Sequence, residues 1–159
     1  MNSNIDHKLN DTWTIWYHSL RNKNWSKSSY INCGELKTIK DLWSYLNNVH
    51  DLKQGMFFLM RKGIFPKWEE PENVKGGAWS LSISEHKCKK IWIEFVMAIC
   101  GETLIKDDMS EINGLSISPK GKYSIIKIWN RDYKKTTVVF SKEFDINWRS
   151  KKYIKHLRK

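Results

Sequence analysis

The sequence predicts an α+β fold built on a largely antiparallel sheet, and three observations carry that expectation. Strand-type segments outnumber helical ones, only two stretches show helical periodicity, and the segments do not alternate regularly between strand and helix. A parallel sheet would need that alternation, because each parallel crossover takes a long connection that is usually a helix.

Taken in order, "TWTIWYH" (residues 12–18) mixes apolar and polar positions with aromatic and β-branched residues, as a partly buried strand does. "NKNWSKSSY" is a polar loop carrying one exposed indole, Trp25. "TIKDLWSYLNNVH" then changes period: Ile39, Leu42, Trp43, Leu46 and Val49 recur at helical spacing, and Thr38 with Asp41 has the spacing of a capping box. "GMFFLMRKG" is a continuous apolar run between glycines and "AWSLSIS" alternates, so both read as strands, joined by the loop from Ile64 to Ala78. "HKCKKIWIEFVMAICGE" returns to helical spacing through Ile91, Phe95, Ala98 and Ile99, and Gly101 is its expected stop. "GLSISPKGKYSIIKIW" predicts two strands, or one bent strand, around a Pro-Lys-Gly-Lys turn, and "TTVVF" predicts another. No repeat or linker divides the chain, so residues 1–159 are expected to form one domain, with flexible ends over 1–10 and 149–159. The last segment, "RSKKYIKHLRK", carries six Lys and Arg and no acid, which fits a solvated end or a phosphate-attracting tail.

Composition narrows the function class. With 40% hydrophobic and 13% aromatic residues the chain can bury a core, and a formal charge of +11 favours polyanionic partners such as nucleic acid or an anionic membrane surface. Cysteines 33, 88 and 100 have no paired spacing, which argues against a disulfide framework or a zinc array. The stretch "MNSNIDHKLND" lacks the apolar core of a signal peptide, and no apolar run approaches the roughly 18 residues of a membrane span; a cytoplasmic protein is expected. Catalysis is not expected. His86 and Cys88 lack a second ligand pair, no nucleophile elbow or phosphate-cradling glycine loop is present, and Gly76-Gly77 reads as a turn before a strand. His7, His18, His50 and His156 are scattered and read as surface or structural residues, so neither a cofactor nor a metal is expected.

Nine tryptophans are more than a core of this size needs, although most of them should be packing residues. The stretch "GIFPKWEEPENVKGGAW" places Trp68 directly before Glu69 and Glu70, between proline and glycine punctuation. Tryptophan is the best aromatic partner for a cation, and a carboxylate beside it can accept two parallel N–H bonds from one ligand edge. Guanine offers such an edge through N1–H and its exocyclic amine. Lys120 and Lys122, in the basic turn, are candidates to neutralise a phosphate chain. Taken alone, a Trp-Glu-Glu loop is more often an interface anchor or a plain turn than a base clamp.

The wider pattern resembles the eukaryotic translation initiation factor 4E family, which binds the 7-methylguanosine cap of messenger RNA. The resemblance runs from about His7 to Trp129 through "HKLNDTWTIWY", "NKNWS", "DLWSYLNN", "GIFPKWEEPENVKGGAW", "IWIEFVMAICGE" and "KIW". It implies a curved sheet with helices on its convex back and a cap slot on its concave front. Trp25 and Trp68 would then sandwich the methylated base, Glu69 would take its N1–H and amine, and Trp129 would lie near the N7-methyl group. On the back, Trp43 matches the tryptophan that meets the helical Tyr-x-x-x-x-Leu-apolar motif of a scaffold factor or its competing repressors, with His7, Ile39, Ile93, Glu94 and Met97 at neighbouring matching positions. The implied partners are capped messenger RNA and such a scaffold or repressor, the protein being a monomer on its own. Departures from the family pattern fall on the phosphate side: Ala78 stands where the family commonly has Arg, and Lys120 and Lys122 align only loosely. The family proline beside the N-terminal His is Lys8 here. A general single-strand RNA binder is the alternative from composition, and a family-related competitor that has lost the cap is the alternative from the resemblance.

Overall fold

The computed structural model describes residues 6–49, 51–141 and 144–157; His50 and the outermost residues of both expected flexible ends lie outside them. Seven strands form a single sheet: β1 (Lys8–Ser19), β2 (Ile31–Thr38), β3 (Gly55–Arg61), β4 (Gly77–Ser84), β5 (Ile112–Pro119), β6 (Tyr123–Asn130) and β7 (Lys152–Lys155). Their order across the sheet is β2-β1-β3-β5-β6-β4-β7, and every pairing is antiparallel. Helices α1 (Ile39–Asn47), α2 (Pro71–Val74) and α3 (Glu85–Cys100) interrupt the strands. The α+β expectation holds.

Strand alternation separates two cores. Trp13 and Ile15 of β1, Leu59 of β3, Trp79, Leu81 and Ile83 of β4, and Ile126 and Ile128 of β6 join Ile91, Trp92, Phe95 and Ile99 of α3 in the main cluster. The intervening residues point the other way. Phe58 and Met60, Ala78 and Trp129 form a smaller cluster with Tyr30 and Ile64 on the opposite face. Helices α1 and α3 thus cover one side of the sheet and leave the other to loops. The Trp92 indole donates to the Tyr45 hydroxyl at 2.8 Å, tying α3 to α1.

Helix α1 starts as its capping box requires: Asp41 N–H donates to Thr38 Oγ1, and Asp41 Oδ2 accepts from Thr38 N–H. Two expectations need correction, and one strand went unread. "TTVVF" is not a strand: Phe140 makes only an isolated bridge to Ile105, and Val138 and Phe140 are spent on core packing instead of a ladder. The basic end is not simply frayed, because Lys152–Lys155 adds β7 to the edge of β4. Strand β2, polar and interrupted by Gly34 at φ 120°, lacked a periodic signature. At Gly76 a Cβ would run into the Asn130 carbonyl, and at Gly77 into that of Ile154. The glycine pair is therefore required by close backbone approach of β6 and β7.

Candidate functional site

On the face away from α1 and α3, two loops bring their tryptophans to one cavity of about 380 Å³ whose lining includes Trp25, Trp68, Glu69, Tyr30, Lys127 and Trp129. Of the nine tryptophans, only Trp25, Trp43 and Trp68 are exposed, at 48%, 53% and 48%. All three are among the four tryptophans, with Trp129, that the resemblance assigns to ligand or partner contacts. Trp129, by contrast, is the buried floor, its Nε1 held by Ser116 Oγ at 3.0 Å and its ring facing Phe58 and His156.

The loop carrying Trp68 is rigid for identifiable reasons. Gly63, at φ 85°, turns the chain out of β3. The Phe65 ring then docks against Trp16 and Tyr30, with centroids 4.8 and 5.0 Å away. Asn73, fully buried in α2, donates from Nδ2 to the carbonyls of Phe65 and Lys67 at 2.9 and 2.8 Å. Its own Oδ1 accepts from Asn113, and its backbone carbonyl is 2.7 Å from His156 Nδ1. One amide thus braces the residues just ahead of Trp68 against β5 and the C-terminal segment.

Glu69 and Glu70 divide their work. Glu70 forms an ion pair with Lys27 at 2.8 Å, linking the Trp68 loop to the Trp25 loop. Exposed pairs of this kind contribute little stability, so the value of this one is in holding the two loops in register. Glu69 is exposed on the cavity wall. Its charge and, more strongly, burial push the Tyr30 hydroxyl up to about 12, so Tyr30 stays neutral below it.

Lys120 and Lys122 do not line this cavity. They flank Gly121 in the β5–β6 turn, at the far end of β6 from Trp129, and Lys122 instead borders a depression with Lys53, Glu85 and His86. Trp129 lies seven residue steps beyond Lys122, roughly 23 Å along the backbone. The cations on the cavity lining are Lys67 and Lys127. Lys127 alternates with Ile126 and Ile128 along β6 and so shares the face of Trp129, a signal the strand period alone supplied. A larger cavity, about 730 Å³, lies around Glu72, Glu111, Asn113 and Arg131, but its single ring is Tyr133 and it mixes both charge signs, so it offers no aromatic slot.

The dorsal residues also gather. Ile39 N–H donates to the His7 carbonyl at 2.9 Å, placing the N-terminal segment at the start of α1. Trp43 projects from α1, while Ile93, Glu94 and Met97 form the partly exposed stripe of α3 beside it.

An antiparallel sheet carries helices α1 and α3 on one face and, on the other, a cavity lined by two exposed indoles and an acid. The family described as Eukaryotic initiation factor 4E matches residues 8–155, and the chain belongs to that family. Eukaryotic translation initiation factor 4E-1 of Oryza sativa is 31% identical over 134 residues, which is 79% of this chain and 58% of the relative. The Candida albicans factor 4E is 27% identical over 81% of this chain and 66% of its own length. The chain therefore spans less than two thirds of these relatives. Among solved structures, Ascaris suum eIF4E-3 with an m2,2,7G cap superposes with a TM-score of 0.73 at 29% identity, covering 82% of this chain and 76% of that one. C. elegans eIF4E-3 with the 4E-binding protein Mextli and a cap analog gives 0.74 at 28% identity, over 82% and 77%. The curved-sheet expectation is met by these neighbours.

Proposed function

We propose that this protein binds the 7-methylguanosine cap of messenger RNA and acts in translation initiation, in the cytoplasm, through a helical scaffold or repressor partner. The observation that carries the reading is the meeting of Trp25, Trp68 and Glu69, from loops 43 residues apart, on one cavity above Trp129. Methylation at N7 makes guanine cationic and its N1–H more acidic. Both stacking on indole and donation to a carboxylate strengthen as a result. Trp25 and Trp68 sandwich the base, Glu69 accepts from N1–H and the amine, and Trp129 faces the methyl group. Lys127 and Lys67 meet the first phosphates, and Lys120 and Lys122 lie in the turn before β6, within reach only of longer extensions. Ascaris suum eIF4E-3 was solved with an m2,2,7G cap and with an m7G cap, which supports the reading.

On the back, Trp43, Ile39, His7, Ile93, Glu94 and Met97 offer an apolar ridge with one acid, suited to an amphipathic helix. Two neighbours were solved with a 4E-binding protein, Mextli. The test is the dissociation constant, by tryptophan fluorescence, for 7-methylguanosine triphosphate against plain guanosine triphosphate. A preference of at least about tenfold for the methylated nucleotide is expected from the cation–π contribution. Equal affinity, with binding that grows only with RNA length, would assign the chain to general single-strand RNA binding.

A further inference from the structure

Trp25 has one open face only. The other is covered by the imidazole of His18, with ring centroids 4.0 Å apart and planes 3° from parallel. His18 sits fully buried near the end of β1. Its Nε2 lies 2.9 Å from the Asn24 carbonyl oxygen and 3.1 Å from Ser29 Oγ. A carbonyl oxygen can only accept, and Ser29 Oγ donates its own hydrogen to the Ser26 carbonyl at 2.7 Å. In the neutral ring, Nε2 therefore carries the hydrogen and Nδ1 is a bare acceptor. Nδ1 is buried and has no hydrogen-bond partner. A further proton would have to go there, creating a buried N–H that faces no acceptor. It would also lay a positive charge flat against the indole whose other face holds the base.

We propose that His18 is a positioning residue for the base slot: neutral, it backs Trp25 and pins its loop through Asn24 and Ser29; protonated, it opposes a cationic ring. The proposal rests on the cap-binding reading. An indole attracts a cation through the negative face of its quadrupole. With a cation already stacked behind it, the same indole offers less to a second one, and the two charges repel across the ring.

The charged groups nearest His18 act through its ring neighbours: Glu69, Lys67 and Lys127 line the cavity with Trp25 and Tyr30, and the Lys27–Glu70 pair joins the two loops beside them. Trp25 and Tyr30 are the rings against it, Asn24 and Ser29 hold Nε2, and its partner across the sheet on β3 is Met56. The carboxylate acting on this cluster is Glu69, through Tyr30. Glu69 is retained in the variants below, so its own titration is common to all of them.

The experiment uses the full chain and 7-methylguanosine triphosphate at pH 7.5 and 5.5, with wild type, His18→Phe and His18→Ala. Phenylalanine keeps a flat ring behind Trp25 but loses the two hydrogen bonds and the proton. On acidification the wild-type Kd should rise by a factor at least three times that of His18→Phe, while His18→Ala should bind most weakly at pH 7.5. Parallel profiles for wild type and His18→Phe would overturn the proposal. Nitrogen NMR of the wild-type ring gives a second test that needs no variant: an Nε2–H tautomer supports the assignment, and an Nδ1–H tautomer refutes it. Absence of wild-type binding at pH 7.5 would instead remove the cap reading, and this proposal with it.

Discussion

Glu69 and Glu70 show how much one position along a loop decides. Glu70 has its charge committed to Lys27, whereas Glu69 stands on the cavity wall beside Trp68. On the proposed cap-binding reading, replacing Glu69 with Ala would delete the acceptor of two charge-assisted bonds that become desolvated when the base is bound. The expected loss of cap affinity is about 2–4 kcal/mol, or roughly 30- to 900-fold in Kd, with the fold intact. Titration of the folded variant with 7-methylguanosine triphosphate measures it, and an unchanged Kd would remove Glu69 from the site. Trp25, Trp68 and Glu69 could be picked out of the sequence as two indoles and an acid in polar loops, but only the family resemblance grouped them at one site. His18, Asn73 and His156 could not be picked out. Each looks ordinary in its own segment and acquires a role only through contacts with residues far away in the chain, Trp25, Phe65 and Trp129 among them.

The elements repeat that contrast. Strands β1, β3 and β4 and helices α1 and α3 were readable because their apolar periodicity matches the faces they bury. Strand β7 was not, since four residues reading "KYIK" in a basic run carry no strand signature; their register is set by β4 and by Tyr153, whose hydroxyl donates to Asn130 Oδ1 at 2.8 Å. Just beyond β7, His156 ties the segment to the site through Trp129 and Asn73. Burial above all, and then the Lys127 charge, hold its imidazole below the ordinary value of 6.5, against the opposing pull of the Asn73 carbonyl and Glu69. The folded state thus favours the neutral ring, and the unfolded chain binds the proton first as pH falls. This contribution to stability is complete above the ordinary histidine value and is lost as pH drops through the lowered one. Urea unfolding between about pH 7.5 and 5 should therefore show a steeper loss of stability on acidification for wild type than for His156→Gln. Identical slopes would mean that the ring is as easily protonated folded as unfolded.

At the scale of the molecule, the sheet separates two surfaces that share no residue. Trp25, Trp68 and Glu69 belong to the open face, while Trp43, Ile93 and Met97 sit on the helices that cover the other. The main core lies between the helices and the strands, so a change at one exposed surface has no packed route to the other except through the sheet itself. Substitutions without shared partners act additively to within about 0.3–0.5 kcal/mol. In a cycle of Glu69→Ala, Trp43→Ala and the double variant, the first should abolish most cap affinity and leave binding of a Tyr-x-x-x-x-Leu-apolar helical peptide unchanged. Trp43→Ala should do the reverse, because its half-exposed indole is spent on the surface and not on the core. The double variant should lose both activities by the sum of the single effects, measured by fluorescence for the nucleotide and calorimetry for the peptide. If the couplings exceed that margin, the two faces communicate through the strands, and ligand binding at one would have to be described as shifting the other. If Trp43→Ala unfolds instead, its indole belongs to the α1 core contacts, and the peptide surface must be rebuilt around Ile93 and Met97.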